Sequence, residues 1–263
     1  MDLQLKGKKA FISGSSQGIG YAIAQALAAE GVDVTLNGRD GAKLSAAVDA
    51  LRQEVPAVTV GGIAADFTDP EQVDRLCAEL ADVDILINNV GIFELKSFET
   101  ISSADWQLYF DVNVLSGVRL AQHVLPVMLA RGWGRIIFVN SESAVNVPAE
   151  MIHYGASKAA MLAVGNGLAK LTRGTAVTVN TVLGGPTYSD GVAQTVQELA
   201  QQSAMPVMDM KKAIIATNQT SLLERFIEPG EIADMVTFLA SPNASATNGA
   251  AVRVDGGVLT TLL

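Results

Sequence analysis

Tyr154 and Lys158 stand four residues apart in the run Tyr154-Gly-Ala-Ser-Lys158, whose surroundings read as helix. Positions i and i+4 share a helix face, so the phenol and the amine point into one site. There an ammonium favours phenolate over phenol, lowering the tyrosine pKa and making it a usable acid and base. An unperturbed tyrosine titrates near pH ~10, and bringing it to about 7 takes roughly 4 kcal/mol at ~1.4 kcal/mol per unit. One amine is too little for that, so a hydrogen-bonding hydroxyl or a second cation must help. Taken alone, the same spacing equally describes an exposed Tyr and Lys on a polar helix face, and only its company decides.

The elements that must position the pair alternate along the chain. Ala10-Phe11-Ile12 is a short apolar run broken by Ser13-Gly14-Ser15-Ser16-Gln17-Gly18-Ile19-Gly20, after which Ile23, Ala26 and Leu27 recur at helical spacing up to Gly31. Apolar runs at 34–36, 58–63, 85–87, 136–139, 177–183 and 251–254 predict further strands. Helices are predicted over 44–51, 70–80, 106–129, around Tyr154 and over 231–239. Strands buried on both faces and separated by helices imply a doubly wound, parallel α/β sheet of the Rossmann type in one domain, 1–263, because each parallel connection needs a crossover. Ligands bind such sheets beyond the carboxyl ends of the strands. Two irregular segments leave from such ends: 142–150, read as a loop, and 187–225, read as a substrate-binding lid.

Composition narrows the function classes. With 49% hydrophobic and 17% charged residues, the chain has the balance of a globular enzyme. A net charge of −9 argues against nucleic acid and anionic membranes as partners. The single Cys77 allows no internal disulfide and suggests no metal cluster, which points to a reducing compartment. No apolar run reaches the ~18 residues of a membrane span, so a cytoplasmic location is expected. His123 has no acidic or thiol partner at ligand spacing, and His153, beside Tyr154, reads as a structural or interface residue, so no metal is expected.

The glycine turn follows the first strand and opens the first helix, where backbone amides and the helix N-terminus can receive a diphosphate. Gly14, Gly18 and Gly20 space it as G-x-x-x-G-x-G. Together with Asn88-Asn89-Val90-Gly91 after a strand, and Ser141 ahead of Tyr154 and Lys158, this spacing resembles the short-chain dehydrogenase/reductase family. The likeness runs nearly end to end, through Asp66, Asn113, Gly185-Pro186-Thr187 and Val254-Asp255-Gly256-Gly257. Val90, Asn140 and Gly184 depart from the usual alanine, serine and proline, and none of them removes a reacting group.

The resemblance implies Tyr154 as general acid or base, Lys158 lowering its pKa and holding the nicotinamide ribose, Ser141 on the substrate oxygen and Asn113 in a water-linked proton relay. Ser143 rivals Ser141, whose distance to Tyr154 matches the family. It further implies a dinucleotide held by Gly14, Ser16, Gln17, Gly18, Ile19, Gly20, Asp66, Phe67, Asn89, Gly91, Gly185, Pro186, Thr187 and Ser189. NAD users place an acid at the end of the second strand. Here Gly38 takes that position and Arg39 follows, an arrangement resembling NADP users, since a guanidinium can pair with a 2′-phosphate. NADP(H) is therefore the expected cofactor and NAD(H) a possible one, with Asp40 and Gln17 weighing against the preference.

Substrate contacts are expected from 93–98, 142–151 and 187–219, with Phe93, Val147, Met151, Met205, Val207 and Met208 as an adaptable apolar wall. Glu142 could face the substrate, although a solvated loop carboxylate is the safer reading. The expected activity interconverts a ketone and a secondary alcohol bearing an apolar body. A 3-oxoacyl-acyl-carrier-protein reductase is the competing enzyme, with Arg131, Arg135 and Arg173 available to dock an acidic carrier. A non-catalytic dinucleotide sensor is the alternative of another class. The resemblance, with the apolar tail Leu259, Leu262 and Leu263, implies a homotetramer or homodimer.

Overall fold

The computed structural model describes residues 1–80, 82–218 and 220–262; Gln219, closing the expected substrate segment, and Leu263, in the apolar tail, lie outside the described residues. The first half of the chain forms β1 (Lys9–Ile12), α1 (Gly18–Ala29), β2 (Asp33–Gly38), α2 (Gly41–Glu54), β3 (Val60–Ala64), α3 (Pro70–Ala78) and β4 (Ile85–Asn88). The second half forms α4 (Ser103–Phe110), α5 (Ser116–Arg131), β5 (Trp133–Ser141), α6 (Ile152–Leu171), β6 (Ala176–Gly184), α7 (Asp190–Gln202), α8 (Val207–Thr217), α9 (Pro229–Ala240) and β7 (Ala251–Val254). All pairings in the seven-stranded sheet are parallel, in the order β3-β2-β1-β4-β5-β6-β7. Winding reverses between β1 and β4, which opens a crevice beyond their carboxyl ends.

Alternate residues of each central strand feed two cores. Ile12 packs with Ile23 and Leu27 of α1 and Val236 of α9, whereas Phe11 packs with Leu120 and Val124 of α5. Burial on both faces, expected of every strand, holds for β4, β5 and β6 but not at the edges. In β3 only Val60 is buried and β7 is half covered, because an edge strand has one neighbour and the helix layers end over it. A third, small core of Val196, Ala200, Met210, Ile215 and Phe226 holds α7 and α8 together as the segment above β6.

The helix expected over 106–129 is interrupted. Between α4 and α5, Asp111–Leu115 form one π turn that keeps the helix continuous but widens it at Asn113. The whole run Ser103–Arg131 has the length and apolarity of a membrane span, yet more than half of it is buried inside the protein, as in a core helix. Leu259 of the expected apolar tail is buried, and Leu262 is fully exposed.

Candidate active site

β5 delivers Ser141 at its carboxyl end and α6 delivers Tyr154 and Lys158 from its first turns. Asn140 stitches the two together: its Nδ2 donates to the Lys158 main-chain oxygen at 3.0 Å, and its Oδ1 accepts from the Ser141 amide at 2.9 Å. A serine, shorter by an amide, would not span both, so the departure from the family pattern has a job here. Gly155 lets the preceding loop lie on α6, since a Cβ there would come within 2.5 Å of Val147 Cγ1. Lys158 Nζ donates to the Val139 oxygen at 3.5 Å and sits 5.7 Å from the centre of the Tyr154 ring. A Cβ on Gly91 would stand 3.2 Å from that Nζ, so the glycine gives the lysine its space.

The π turn presents Asn113 to the loop after β4. Its Oδ1 accepts from the Ile92 amide at 2.8 Å, and its Nδ2 donates to the Ile92 oxygen at 3.0 Å and to Ser157 Oγ at 2.9 Å. The Asn113 side chain is thus engaged as a clamp between the loop after β4 and α6.

The electrostatics of the pair run opposite to expectation. Burial pushes the Tyr154 phenol up to about 12, with the Glu142 carboxylate adding to the rise and a hydrogen bond from Ser141 opposing it. Lys158 does not offset this; burial pushes its own pKa down to about 8. Desolvation disfavours the charged form of both groups, and here it outweighs their spacing on the helix. Glu142 is not a solvated loop carboxylate. Most of it is enclosed, burial raises its pKa, and Ser141 Oγ donates to its Oε2 at 2.5 Å. Ser143, the rival hydroxyl, is buried, and its amide donates to Ser141 Oγ at 3.1 Å.

The glycine turn forms a cradle of about 260 Å³ lined by Gly14, Gln17, Gly18, Ile19, Asn89, Gly91, Tyr154, Lys158 and Ser189. Gly14 and Gly18 adopt φ of 61° and 64°, the left-handed region that glycine reaches without strain. A Cβ on Gly20 would lie 2.5 Å from both Asn89 Nδ2 and the Gly14 oxygen. Asn89 locks the turn from the β4 side by donating to the Ser13 and Gly14 oxygens, and Asn37 accepts from the Gly14 amide. Asp190, missed in the sequence, reaches the same place: its Oδ2 accepts from the Gly18 amide at 2.6 Å, tying α7 to the turn.

At the end of β2, a Cβ on Gly38 would stand 3.0 Å from Ser16 Oγ, so a side chain there would have to displace that serine. Arg39 is exposed just beyond it. Asp40 caps α2 by accepting from the Ala42 and Lys43 amides. Asp66 holds Thr68 in a turn at the end of β3. Phe67 turns its ring into the core, leaving only its main chain for a ligand. These residues suit an adenine dinucleotide: a cradle of amides for a diphosphate, a cation in place of an acid, and Lys158 beside Tyr154.

A second cavity, of about 540 Å³, adjoins the first. Tyr154, Ser189 and Phe93 line both, and Ser141, Glu142, Met151, Gly185, Pro186 and Thr187 line the second. Val147, Met205, Val207 and Met208, expected in the wall, are not part of it; the last two are exposed on α8. Val147 is spent covering Gly155, and Met205 sits exposed at the turn between α7 and α8. Val192, Thr195 and Phe226 take their place. Helical spacing pairs Val192 with Thr195, but nothing local brings in Phe226. His153 is fully buried against Tyr109, with ring centroids 4.0 Å apart, which makes it a packing residue.

The three arginines considered for carrier docking lie at the other edge of the sheet. Arg135 starts β5 and is fully buried on the oxygens of Gly134, Ala176 and Ser241. Arg131 ends α5 and pairs with Asp84, and Arg173 follows α6. In a parallel sheet those positions face the amino ends of the strands, away from the cavities.

Comparison with known proteins agrees with this architecture. A family model described as enoyl-(acyl carrier protein) reductase matches residues 14–259. The chain is 41% identical over 267 residues to an uncharacterized oxidoreductase of Bacillus subtilis, with 100% of each covered. It is 31% identical over 257 residues to a D-beta-hydroxybutyrate dehydrogenase of Cupriavidus necator, covering 96% of this chain and 98% of that one. The crystal structure of L-sorbose reductase from Gluconobacter frateurii, complexed with NADPH and L-sorbose, is 32% identical and matches over 100% of both chains with a TM-score of 0.94. This protein, with its doubly wound sheet and glycine cradle, is a member of the short-chain dehydrogenase/reductase family, an NAD(P)-dependent oxidoreductase.

Proposed function

We propose that the protein interconverts a ketone with an apolar body and the corresponding secondary alcohol, using NADP(H), with Tyr154 as general acid and base. The observation that carries this reading is the position of Tyr154, whose side chain borders both the glycine cradle and the adjoining cavity. The cofactor, when bound, supplies or accepts the hydride, and its oxidised ring adds a positive charge. Tyr154 then gives a proton to the substrate oxygen in reduction and takes it back in oxidation, Ser141 holds that oxygen, and Lys158 binds the ribose and passes protons onward. With the phenol held near 12 by burial, Tyr154 is protonated at neutral pH and ready for reduction. Oxidation requires the phenolate and so requires the extra cation.

Preference for NADP(H) over NAD(H) is supported by glycine in place of an acid at position 38, by the exposed Arg39, which has no ion-pair partner among the described residues, and by the NADPH held in the Gluconobacter relative. The carrier-protein alternative is weakened by the three arginines facing the wrong edge. A silent sensor is disfavoured by a full set of Asn113, Ser141, Tyr154 and Lys158. Segment 187–225 is read as the lid. A homotetramer or homodimer in a reducing cytoplasm completes the proposal, and a monomer by light scattering at micromolar concentration would remove that part. The decisive experiment is a ketone and alcohol panel run with both cofactors, with Tyr154→Phe as the blank. Turnover that survives this substitution would defeat the assignment.

A further inference from the structure

Resting on the reading of this site as a ketone reductase, we propose that Glu142 determines which ketones are accepted: its carboxyl group hydrogen-bonds a hydroxyl on the carbon next to the reacting carbonyl. Uncharged α-hydroxy ketones are then the preferred substrates, and α-keto acids are refused.

The placement comes first. Glu142 opens a short 3-10 turn directly after Ser141 and lines the substrate cavity. Its Oε2 accepts from Ser141 Oγ at 2.5 Å and its Oε1 from Ser143 Oγ at 3.4 Å. Ser141 is the hydroxyl that holds the reacting oxygen; its one proton turns from Glu142 to that oxygen when a ketone binds, which frees Oε2 for a donor on the substrate one hydrogen bond away. In an α-hydroxy ketone the two oxygens are separated by a similar distance. One oxygen can therefore sit on Ser141 and Tyr154 while the other reaches Glu142.

Capacity and charge follow. An ionised carboxylate offers about four acceptor positions, and the two serines use part of them. Glu142 has no ion-pair partner among the described residues, and an enclosed carboxyl group without a cation is costly unless donors reach it. A substrate hydroxyl is such a donor. Because it is also an acceptor, it pairs with the carboxyl group whether that group is ionised or protonated, whereas an ammonium requires the ionised form. Burial shifts Glu142 toward the protonated form, which favours the hydroxyl. The rim adds Glu94, and no lysine, arginine or histidine is among the described residues lining this cavity. A substrate carboxylate would meet only like charge there.

The rest of the substrate is apolar. Phe93, Leu95, Val192 and Phe226 border this cavity and also a second hollow of about 450 Å³, continued by Met210 and Ile214 under the lid. An alkyl or aryl group on the far side of the carbonyl fits that path.

The test compares kcat/KM with NADPH for three compounds of one chain length: a methyl ketone, its α-hydroxy analogue and the matching α-keto acid. Wild type is expected to favour the α-hydroxy ketone over the methyl ketone by about tenfold or more, the worth of one hydrogen bond to a charged or buried group, and to use the keto acid least. In Glu142→Ala that ratio should fall to near one; if the alanine variant does not fold, Glu142→Met, which fills the same space, is read instead. Glu142→Gln, which keeps the hydrogen bonds but not the charge, should retain part of the ratio. A ratio unchanged in the alanine or methionine variant, or a wild-type preference for the keto acid, overturns the proposal while Tyr154→Phe still abolishes turnover. No turnover of any ketone by wild type that binds NADPH overturns the reductase reading, and this proposal with it.

Discussion

Replacing Lys158 with methionine is expected to stabilise the protein at neutral pH while abolishing its turnover. The lysine is 5% exposed, and its ammonium has one long hydrogen bond among the described residues, 3.5 Å to the Val139 oxygen. Burial lowers its pKa from 10.5 to about 8. At roughly 1.4 kcal/mol per unit, holding the charge inside the fold costs on the order of 3 kcal/mol. For a lysine whose folded pKa lies below its unfolded one, this cost is full below about pH 8, where both states carry the proton. It shrinks between about 8 and 10.5, because the unfolded chain then binds more protons, and vanishes above. Methionine has similar length, carries no charge and adapts to the space. The variant should therefore melt roughly 6 °C or more above wild type at pH 7, at ~2–4 °C per kcal/mol. By pH ~10 the gap should correspond to less than about 1 kcal/mol. Calorimetric melts of both proteins at pH 6 to ~10 read the difference, in which titrations common to both cancel. A variant less stable at pH 7, or a gap that does not change with pH, would refute the reasoning.

Arg39→Ala should lower kcat/KM for NADPH by about ten- to thirtyfold, the low end for a charge-assisted contact at an exposed site, and leave NADH unchanged. Equal wild-type kcat/KM for the two cofactors would defeat the assignment of this arginine. Asp190→Asn removes a carboxylate from the Gly18 amide, at the helix end where a diphosphate would bind. It should tighten NADPH binding several-fold, read by titration calorimetry; weaker binding would show that the tie between α7 and the turn matters more than the repulsion.

Much of the fold was legible because its causes are local. Parallel strands covered by helices on both sides must be continuous aliphatic runs, and Ile85-Leu86-Ile87 or Val177 to Leu183 announce themselves as such. The glycine turn is equally plain, since glycine adopts the φ of Gly14 and Gly18 without strain and has no Cβ to meet the 2.5 Å contacts around Gly20. The π turn at Asn113 escaped notice because its sequence keeps ordinary helical periodicity. Val147 and Met205 look as apolar as Phe93, and no local pattern says which of them faces a cavity and which covers a backbone. Arg135 reads as a surface charge until its carbonyl partners, drawn from three separate segments, are assembled around it.

The sequence by itself determined the winding of the sheet, the glycine cradle and the meeting of a phenol with an amine on one helix face, all consequences of short-range sterics and periodicity. Only the tertiary structure decided what that meeting does. Desolvation depends on everything packed around a group, and it holds Tyr154 protonated and drives Lys158 toward neutrality, against the simple effect of their spacing. The same burial turns Glu142 from a loop carboxylate into part of the candidate site, bonded to Ser141.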